Sequence, residues 1–412
     1  MNLVAILGLA LCLYTLIHTY VVFPAMLRIR ARRCDPVRGA RSSSHRPVRI
    51  VLAVHNEDAV LEESLRSILA STLDPVRWTL HIRSDASTDG TDAILAEWAA
   101  RHEHIHVERT DERMGKIGQL NRFFAEVEAR PGEVLVLTDA NVRWAPDLLE
   151  RLVAAFDDPA VGLAQPVIAN AVGGQAVAQD EALYIGREMA LKTHESRVHG
   201  VFMGAFGACY AIRRSLARPM PDDLLVDDFY QSMSALSTGA RARVVEDARC
   251  TEDLPGHLAQ EFRRKRRIAA GNWQNLRRWW PVLMCRPGVV RRLFVQHKLL
   301  RWLGPFLLLG SCIFAGAWAT GTSRGLVLFS VCAAFGALLL LVPTGVFRSP
   351  VLRPLHVLRY FLWMNLAAGL GFIDHIKGIE TNVWEPTQRD PTGQRRGGAS
   401  GHSGRQADHR RR

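Results

Sequence analysis

The stretch EVLVLTDAN, residues 133–141, decides how the rest of the chain is read. Its four consecutive apolar residues, 134–137, run straight toward Asp139 and Asn141, and a helix-like segment opens at Pro146. An unbroken apolar run of this length suits a central parallel strand covered on both faces. In open α/β sheets, ligands collect beyond the carboxyl ends of such strands. Asp139 and Asn141 occupy that address, and their oxygens suit a metal and a phosphate.

Moving outward, the pattern alternates. VRIVLAV (48–54) reads as a strand, followed by helical periodicity from Ala59. WTLHIRSD (78–85) is a second strand ending in Asp85, and STDGT turns the chain into a helix over 91–100. HIHVERT (104–110) is a third strand, and GKIGQLN then opens a helix that runs to about residue 128. After the opening stretch come a helix from Pro146, a strand at 161–168, a helix at 173–197 and a strand at 206–212. A helix at 226–237 and a strand at 240–248 complete the series. Strands alternating with helices predict βαβ units and a mostly parallel sheet, an α/β fold.

Charge divides the 412-residue chain. Residues 28–49 hold eight Arg and one Asp, and 389–412 hold seven Arg and two Asp. The stretch 263–301 carries twelve Lys or Arg and no acid, whereas 50–262 carries 20 basic and 34 acidic residues. An acidic domain framed by basic belts suits anionic lipid head groups, and its central charge would repel nucleic acid. The seven Cys are scattered with no C-x-x-C, which fits a reducing compartment and neither a disulfide framework nor a zinc site.

Residues 1–27 carry no Lys, Arg, Asp or Glu, enough to cross a hydrocarbon core of roughly 20 residues. With no basic leader and no A-x-A-like site, a membrane span is favoured over a cleaved signal peptide. Arg28, Arg30, Arg32 and Arg33 place its trailing end in the cytoplasm; His18 within it reads as a helix contact. Residues 302–323 and 325–347 are uncharged runs split only by Arg324, a transmembrane hairpin within 299–347. Residues 360–373, inside a segment at 355–376, are uncharged for only 14 residues, a length that suits an interfacial segment better than a third C-terminal span. Three spans keep the Arg-rich tail cytoplasmic. Between domain and hairpin, 257–298 mixes Arg263, Arg266 and Arg267 with Trp279 and Trp280, as amphipathic interface helices do. The organisation is therefore a span at 1–27, a basic linker at 28–47, a cytoplasmic domain at 48–256, these membrane-side elements, and a tail at 377–412 with a disordered end.

Five clusters fall at predicted sheet ends or loops: His55-Asn56-Glu57 beyond Val54, Asp85, Lys116 with Asn121, Asp139 with Asn141, and Asp227-Asp228. Each alone is an ordinary turn or helix cap; their shared edge makes them a site. There is no G-x-G-x-x-G after a strand and no Walker-type G-x-x-x-x-G-K-[ST]. A pyrophosphate would be held by a divalent ion, Mg or Mn, on Asp139 and Asn141, with Lys116 adding a point charge.

Here the sequence resembles the membrane-integrated family 2 inverting glycosyltransferases of the polysaccharide synthase-like branch, over most of 48–389. AVHNE, SDASTDGT, GKIGQLN, TDAN-x-x-W-A-P-D-L-L and VDDF occur in family order. RRKRRIAAGNWQ lies where the family carries Q-x-x-R-W, HKLLRWLGP leads toward the membrane, and VWEPTQR (383–389) resembles a Trp/Thr/Arg tail motif. The resemblance implies a GT-A type, doubly wound fold and a nucleotide-diphosphate sugar donor. It implies that Glu57 and Asp85 lie at the base and ribose, Lys116 near the pyrophosphate, and Asp139 and Asn141 at metal and phosphates, with Val54, Asn56 and Asn121 also in the nucleotide-sugar site. Asp228, beside Asp227, would be the base. Arg264, Arg267, Trp384, Thr387 and Arg389 would meet acceptor or diphosphate. Expected partners are a lipid-linked or polysaccharide acceptor, the lipid bilayer and other polysaccharide-assembly proteins, at the inner membrane of the cell, multi-pass, with the catalytic domain in the cytoplasm.

Three departures stand out. Asn141 replaces the second acid of D-x-D and weakens direct metal binding. Arg264 and Ile268 replace the Gln and Trp of Q-x-x-R-W, which speaks against processive polymerisation. A literal T-E-D occurs at 251–253, where Glu252 reads as a supporting residue rather than the base. The competing class is a non-catalytic nucleotide- or glycan-binding scaffold on the same fold. A membrane nucleotidyl- or phosphosugar-transferase finds no matching nucleophile.

Overall fold

The strand expected at 133–141 forms over Val134–Thr138 and is buried along its whole length. Its side chains alternate between two apolar layers: Val134 and Val136 enter one, Leu135 and Leu137 the other, the period-2 consequence of a pleated backbone. A computed structural model describes residues 2–39, 45–171, 176–253, 258–285, 288–321, 323–341 and 353–379.

In chain order the strands are β1 (Val48–Val54), β2 (Trp78–Asp85), β3 (Ile105–Thr110), β4 (Val134–Thr138), β5 (Val142–Trp144), β6 (Val161–Ala171), β7 (Cys209–Arg213) and β8 (Arg241–Asp253). The helices begin with α1 (Asn2–Ile17), α2 (Phe23–Ala31), α3 (Asp58–Leu69), α4 (Thr91–Arg101), α5 (Gly115–Glu126) and α6 (Leu148–Ala154). They continue with α7 (Ala176–His199), α8 (Asp227–Ser237), α9 (Leu258–Cys285), α10 (Val289–Leu293) and α11 (Leu300–Trp302). The last are α12 (Gly304–Ala319), α13 (Ser323–Leu341) and α14 (Arg353–Lys377).

Among the described residues the strands form one eight-stranded sheet in the order β3-β2-β1-β4-β7-β6-β8-β5. β1 pairs in parallel with both β2 and β4, Val48 lying opposite Trp78 and Val134. β7 is antiparallel to both β4 and β6, and β5 is antiparallel to β8. The parallel half matches expectation; the other half is mixed, because an apolar run fixes burial without fixing strand direction. The three-residue β5 was missed altogether. One face of the sheet is covered by α3 and α6 through Leu61, Leu65 and Leu149. The other is covered by α5 and α8 through Leu120, Phe123 and Met233. Carboxyl ends of β1, β2 and β4 thus meet the starts of α3, α5 and α8 along one edge.

The N-terminal helix extends past the predicted end at residue 27. α1 and α2 are joined by a π-helical turn, His18–Val22, and Leu3–Ala31 is long and apolar enough to cross a membrane. Phe23 and Leu27 are buried in the same apolar layer as Phe123 and Met233, so its last turns are docked on the α/β domain. α13 also meets the length and apolarity of a span, whereas α12 does so only together with Val289–Trp302, from which it bends by 58°. The segment expected to be a short apolar stretch at 360–373 lies within the 25-residue α14. The flanking charges do not end the helix: Asp374 binds Arg266 of α9 at 2.5 and 2.6 Å, and Arg359 is buried. Trp384, Thr387 and Arg389 lie outside the described residues.

Candidate active site

Asp85, at the end of β2, sets the start of α5. Its carboxylate accepts hydrogen bonds from the backbone N–H of Met114 (2.7 Å) and Gly115 (3.0 Å). It also accepts from Gln119 Nε2 (2.8 Å) and Arg113 Nε (3.1 Å). An anion at a helix N-terminus satisfies orphan donors and opposes the dipole, and Gly115 takes the required left-handed φ of 73°. Asp85 is only 2% exposed. It therefore organises α5 from within the protein. His55 completes the arrangement: Nδ1 donates to the Asp85 carbonyl (2.7 Å) while Nε2 accepts from Arg113 Nη1 (2.6 Å).

The loop after β1 is stitched to the loop after β2. Asn56, with a left-handed φ of 53°, accepts at Oδ1 from the Thr88 N–H (2.8 Å), and Glu57 N–H donates to Thr91 Oγ1 (2.9 Å). Val54 is buried in the core, so only its backbone can face a ligand. These residues shape the rim of the site near α5.

The charged centre lies where β4 ends. Lys116, one residue into α5, places Nζ 2.8 Å from Asp139 Oδ1 and 3.3 Å from Asp227 Oδ2. Burial works to lower the Lys116 pKa, but Asp139, Asp227 and Asp228 together outweigh it and hold the ammonium above its usual range. Asp227 and Asp228 open α8. Burial and the neighbouring Asp227 push the Asp228 carboxyl up to about 6, against Lys116 and Lys192, which pull it down. Phe229 N–H donates to Asp228 Oδ1 (2.6 Å). The backbone of Gly207 approaches so closely that a Cβ there would stand 3.2 Å from Asp228 Oδ2. Beneath them the buried Tyr210 phenol is driven well above its usual range by burial and then by the same three acids. Arg267 of α9 faces this centre: burial lowers its pKa, while Asp227, Asp139 and Asp228 oppose that. Asp139, Lys116, Asp227, Asp228 and Arg267 therefore converge.

Other expected site residues also make internal contacts. Asn121 pairs with both backbone groups of Met220, donating to its carbonyl (2.7 Å) and accepting from its N–H (2.7 Å). It holds the segment that leads to Asp227. Arg264 is paired with Glu261 on its own helix at 2.9 Å. Asn141 donates from Nδ2 to the Asp253 carbonyl (3.0 Å), leaving Oδ1 as its oxygen donor. The T-E-D at 251–253 lies on β8, where Glu252 is opposite Val142 and Asp253 pairs with Arg143, consistent with a supporting place. Among the described residues no group of three His, Cys, Asp or Glu could hold a metal by itself. Two oxygens, from Asp139 and Asn141, suit a hard cation that brings further oxygens with a phosphate.

Three features escaped the sequence. Gln274 and Asn275 of α9 hold the chain just before the acidic pair: Gln274 accepts from Leu225 N–H (3.0 Å), and Asn275 donates to the Val226 carbonyl (3.1 Å). Lys192 is 2% exposed, with Nζ 3.4 Å from the Phe206 ring centre. Burial, followed by Lys298, lowers its pKa to about 7. The third is a buried charge cluster between α7 and the segment before α12. His297 places its ring nitrogens 2.8 Å from Glu188 and 2.7 Å from Glu195, both of which it can serve as donor only as imidazolium. Lys298 (2.7 Å) and Arg301 (2.5 Å) also bind Glu188. Burial favours the protonated Glu188, yet His297, Lys298 and Arg301 hold it well below the usual carboxylate range. Glu195 also accepts from the Met203 N–H (3.0 Å), tying the cluster to the loop that covers Asp228. His297, Lys298, Arg301 and Gln274 lie inside the quoted stretches HKLLRWLGP and RRKRRIAAGNWQ, but their partners on α7 and at residue 225 carry no turn or motif signal.

The sheet, its two helical layers and this acidic edge define an α/β fold related to the GT-A glycosyltransferases. A mannosyltransferase from Pyrobaculum calidifontis, solved in complex with GDP-Man and Mn2+, has the same fold: TM-score 0.65 at 21% identity, covering 90% of this chain and 99% of that one. Residues 49–218 match glycosyl transferase family 2, and residues 134–372 match glycosyl transferase family group 2. The chain belongs to glycosyl transferase family group 2. An N-acetylglucosaminyltransferase of Rhizobium leguminosarum bv. viciae is 25% identical over 311 residues, 69% of each chain. A beta-monoglucosyldiacylglycerol synthase of Nostoc sp. is 32% identical over 128 residues, 30% of this chain and 27% of that protein.

Proposed function

We propose that the chain is an inverting glycosyltransferase that moves a sugar from a nucleotide-diphosphate donor to a lipid-linked or polysaccharide acceptor. The observation that carries this reading is the convergence of Lys116, Asp139, Asp227 and Asp228 at one sheet edge, with Lys116 within 3.3 Å of two of the acids. In-line attack on the anomeric carbon needs a base on one side and charge neutralisation of the departing diphosphate on the other. Asp228, with a pKa near 6, is ionised at neutral pH yet basic enough to take the acceptor hydroxyl proton. Lys116 and Arg267 supply fixed positive charge for the diphosphate. Asp139 and Asn141 Oδ1 would hold a Mg or Mn ion, which when bound adds to that neutralisation. The Mn2+ and GDP-Man in the Pyrobaculum enzyme support a metal and a nucleotide sugar. The Rhizobium N-acetylglucosaminyltransferase supports sugar transfer, and the Nostoc beta-monoglucosyldiacylglycerol synthase supports a lipid acceptor.

The apolar helix Leu3–Ala31 and α13, with the basic belts beside them, support a multi-pass protein of the inner membrane whose catalytic domain is cytoplasmic. Wild-type membranes supplied with a panel of radiolabelled nucleotide sugars should transfer one label to an extractable product, and membranes carrying Asp228→Asn should not. Binding without transfer or hydrolysis of any donor would leave a scaffold as the reading.

A further inference from the structure

α9 has two working faces. Gly271, Gln274, Asn275 and Arg278 face the catalytic domain: Gly271 abuts Val226, Gln274 and Asn275 hold residues 225 and 226, and Arg278 pairs with Asp223 at 2.6 Å. Rotated away from them, Trp273, Leu276 and Trp280 join Phe372 of α14 as walls of an open groove of about 560 Å³. That is within the ~300–1,000 Å³ of small-ligand sites. Arg277 and His375 are the charged and titratable residues that line it, and no carboxylate does. Trp273 also packs against Phe306 (ring centres 6.0 Å apart), on the first turn of α12. The groove therefore opens where the apolar helices begin, and Trp beside Arg is the pairing expected at a bilayer surface.

We propose that this groove binds one anionic phospholipid. Its acyl chain lies against Trp273, Leu276, Trp280 and Phe372, and its phosphate meets Arg277 and His375. The charge pattern selects this occupant: apolar walls with a purely basic rim complement an acyl chain and a phosphodiester. The groove faces away from Asp228, so its lipid is distinct from an acceptor. Because the same helix grips residues 225 and 226, a lipid seated here steadies the segment that carries Asp227 and Asp228. The inference rests on the membrane reading above.

The full chain, reconstituted in phosphatidylcholine vesicles with or without phosphatidylglycerol, tests it by tryptophan quenching with acyl-brominated lipid. Brominated phosphatidylglycerol should quench more than brominated phosphatidylcholine at equal fraction. Trp280→Phe should remove part of that excess. Arg277→Glu should lower the phosphatidylglycerol preference by at least about fivefold, the worth of roughly one basic contact at a membrane surface. Equal quenching by the two lipids, or a preference unchanged in Arg277→Glu, overturns the proposal while leaving the membrane reading intact. Loss of the protein from vesicles on alkaline washing overturns the membrane reading itself, and the proposal with it.

Discussion

The Lys116 ammonium stands 2.8 Å from Asp139 Oδ1, so the first turn of α5 and the end of β4 face each other as opposite charges. Asp85 makes this possible, because its bonds to Met114 and Gly115 fix where α5 begins. A motif residue thereby positions Lys116, the proposed diphosphate contact. A diphosphate bound as proposed would compete with Asp139 and Asp227 for the ammonium, and a cation on Asp139 would offset the exchange.

Lys116→Met should therefore weaken donor binding. A charge-assisted contact is worth about 1.5–3 kcal/mol, or roughly a 10- to 100-fold rise in the donor dissociation constant. Titration calorimetry with the donor, at fixed divalent ion, measures it. Unchanged affinity would remove Lys116 from the diphosphate site.

Asp228→Asn separates binding from chemistry. The amide keeps the shape and can still accept from Phe229 N–H, but it cannot take a proton. Transfer should fall by about 10²–10⁴-fold with donor affinity near the wild-type value. Full turnover by the variant would exclude Asp228 as the base and reopen the case for another acid at this edge.

How much of this was legible depends on what each residue must satisfy. β1, β2 and β4 were readable because strands buried on two faces leave continuous apolar runs, and Asp85 and Asp139 stand at or just beyond the ends of β2 and β4. The direction of β7 was not readable, since Cys209–Arg213 has the same apolar pattern in either orientation. Asn121 shows the limit for polar motif residues: its amide serves the Met220 backbone, and sequence cannot distinguish a ligand from a backbone partner. Arg359 and Asp374 misled for a related reason. They interrupt an apolar run, yet one is buried and the other is paired with Arg266, so the helix continues through both.

Acid should destabilise the fold through His81 of β2. Burial, and then the nearby His106, lowers the His81 pKa to about 4, and the two rings lie 4.8 Å apart. The unfolded chain takes up a proton near 6.5, where the folded protein stays neutral. The stability this group contributes is therefore present above about 6.5 and is lost as pH falls from there toward about 4. His81→Gln keeps a polar partner for Thr79 and removes the titration. Its thermal midpoint should fall less steeply than wild type over that window; parallel curves would exclude His81 as a contributor.

Lys192 should set the acid limb of the activity profile. It is buried against Phe206, and its positive charge is among the influences that lower the Asp228 pKa, opposing burial and Asp227. Near pH 6 Lys192 is mostly protonated, since its own pKa is about 7. Removing the charge leaves burial and Asp227 less opposed, so the Asp228 pKa rises. The acid limb of kcat/KM, which reports the base of the free enzyme, should move to higher pH in Lys192→Met. Lys192→Arg should return it toward wild type, provided that the protein tolerates the larger head group. A merely structural role would lower the rate at every pH without moving the limb. An unmoved limb in Lys192→Met, with expression and thermal midpoint intact, would show that Lys192 does not act on Asp228.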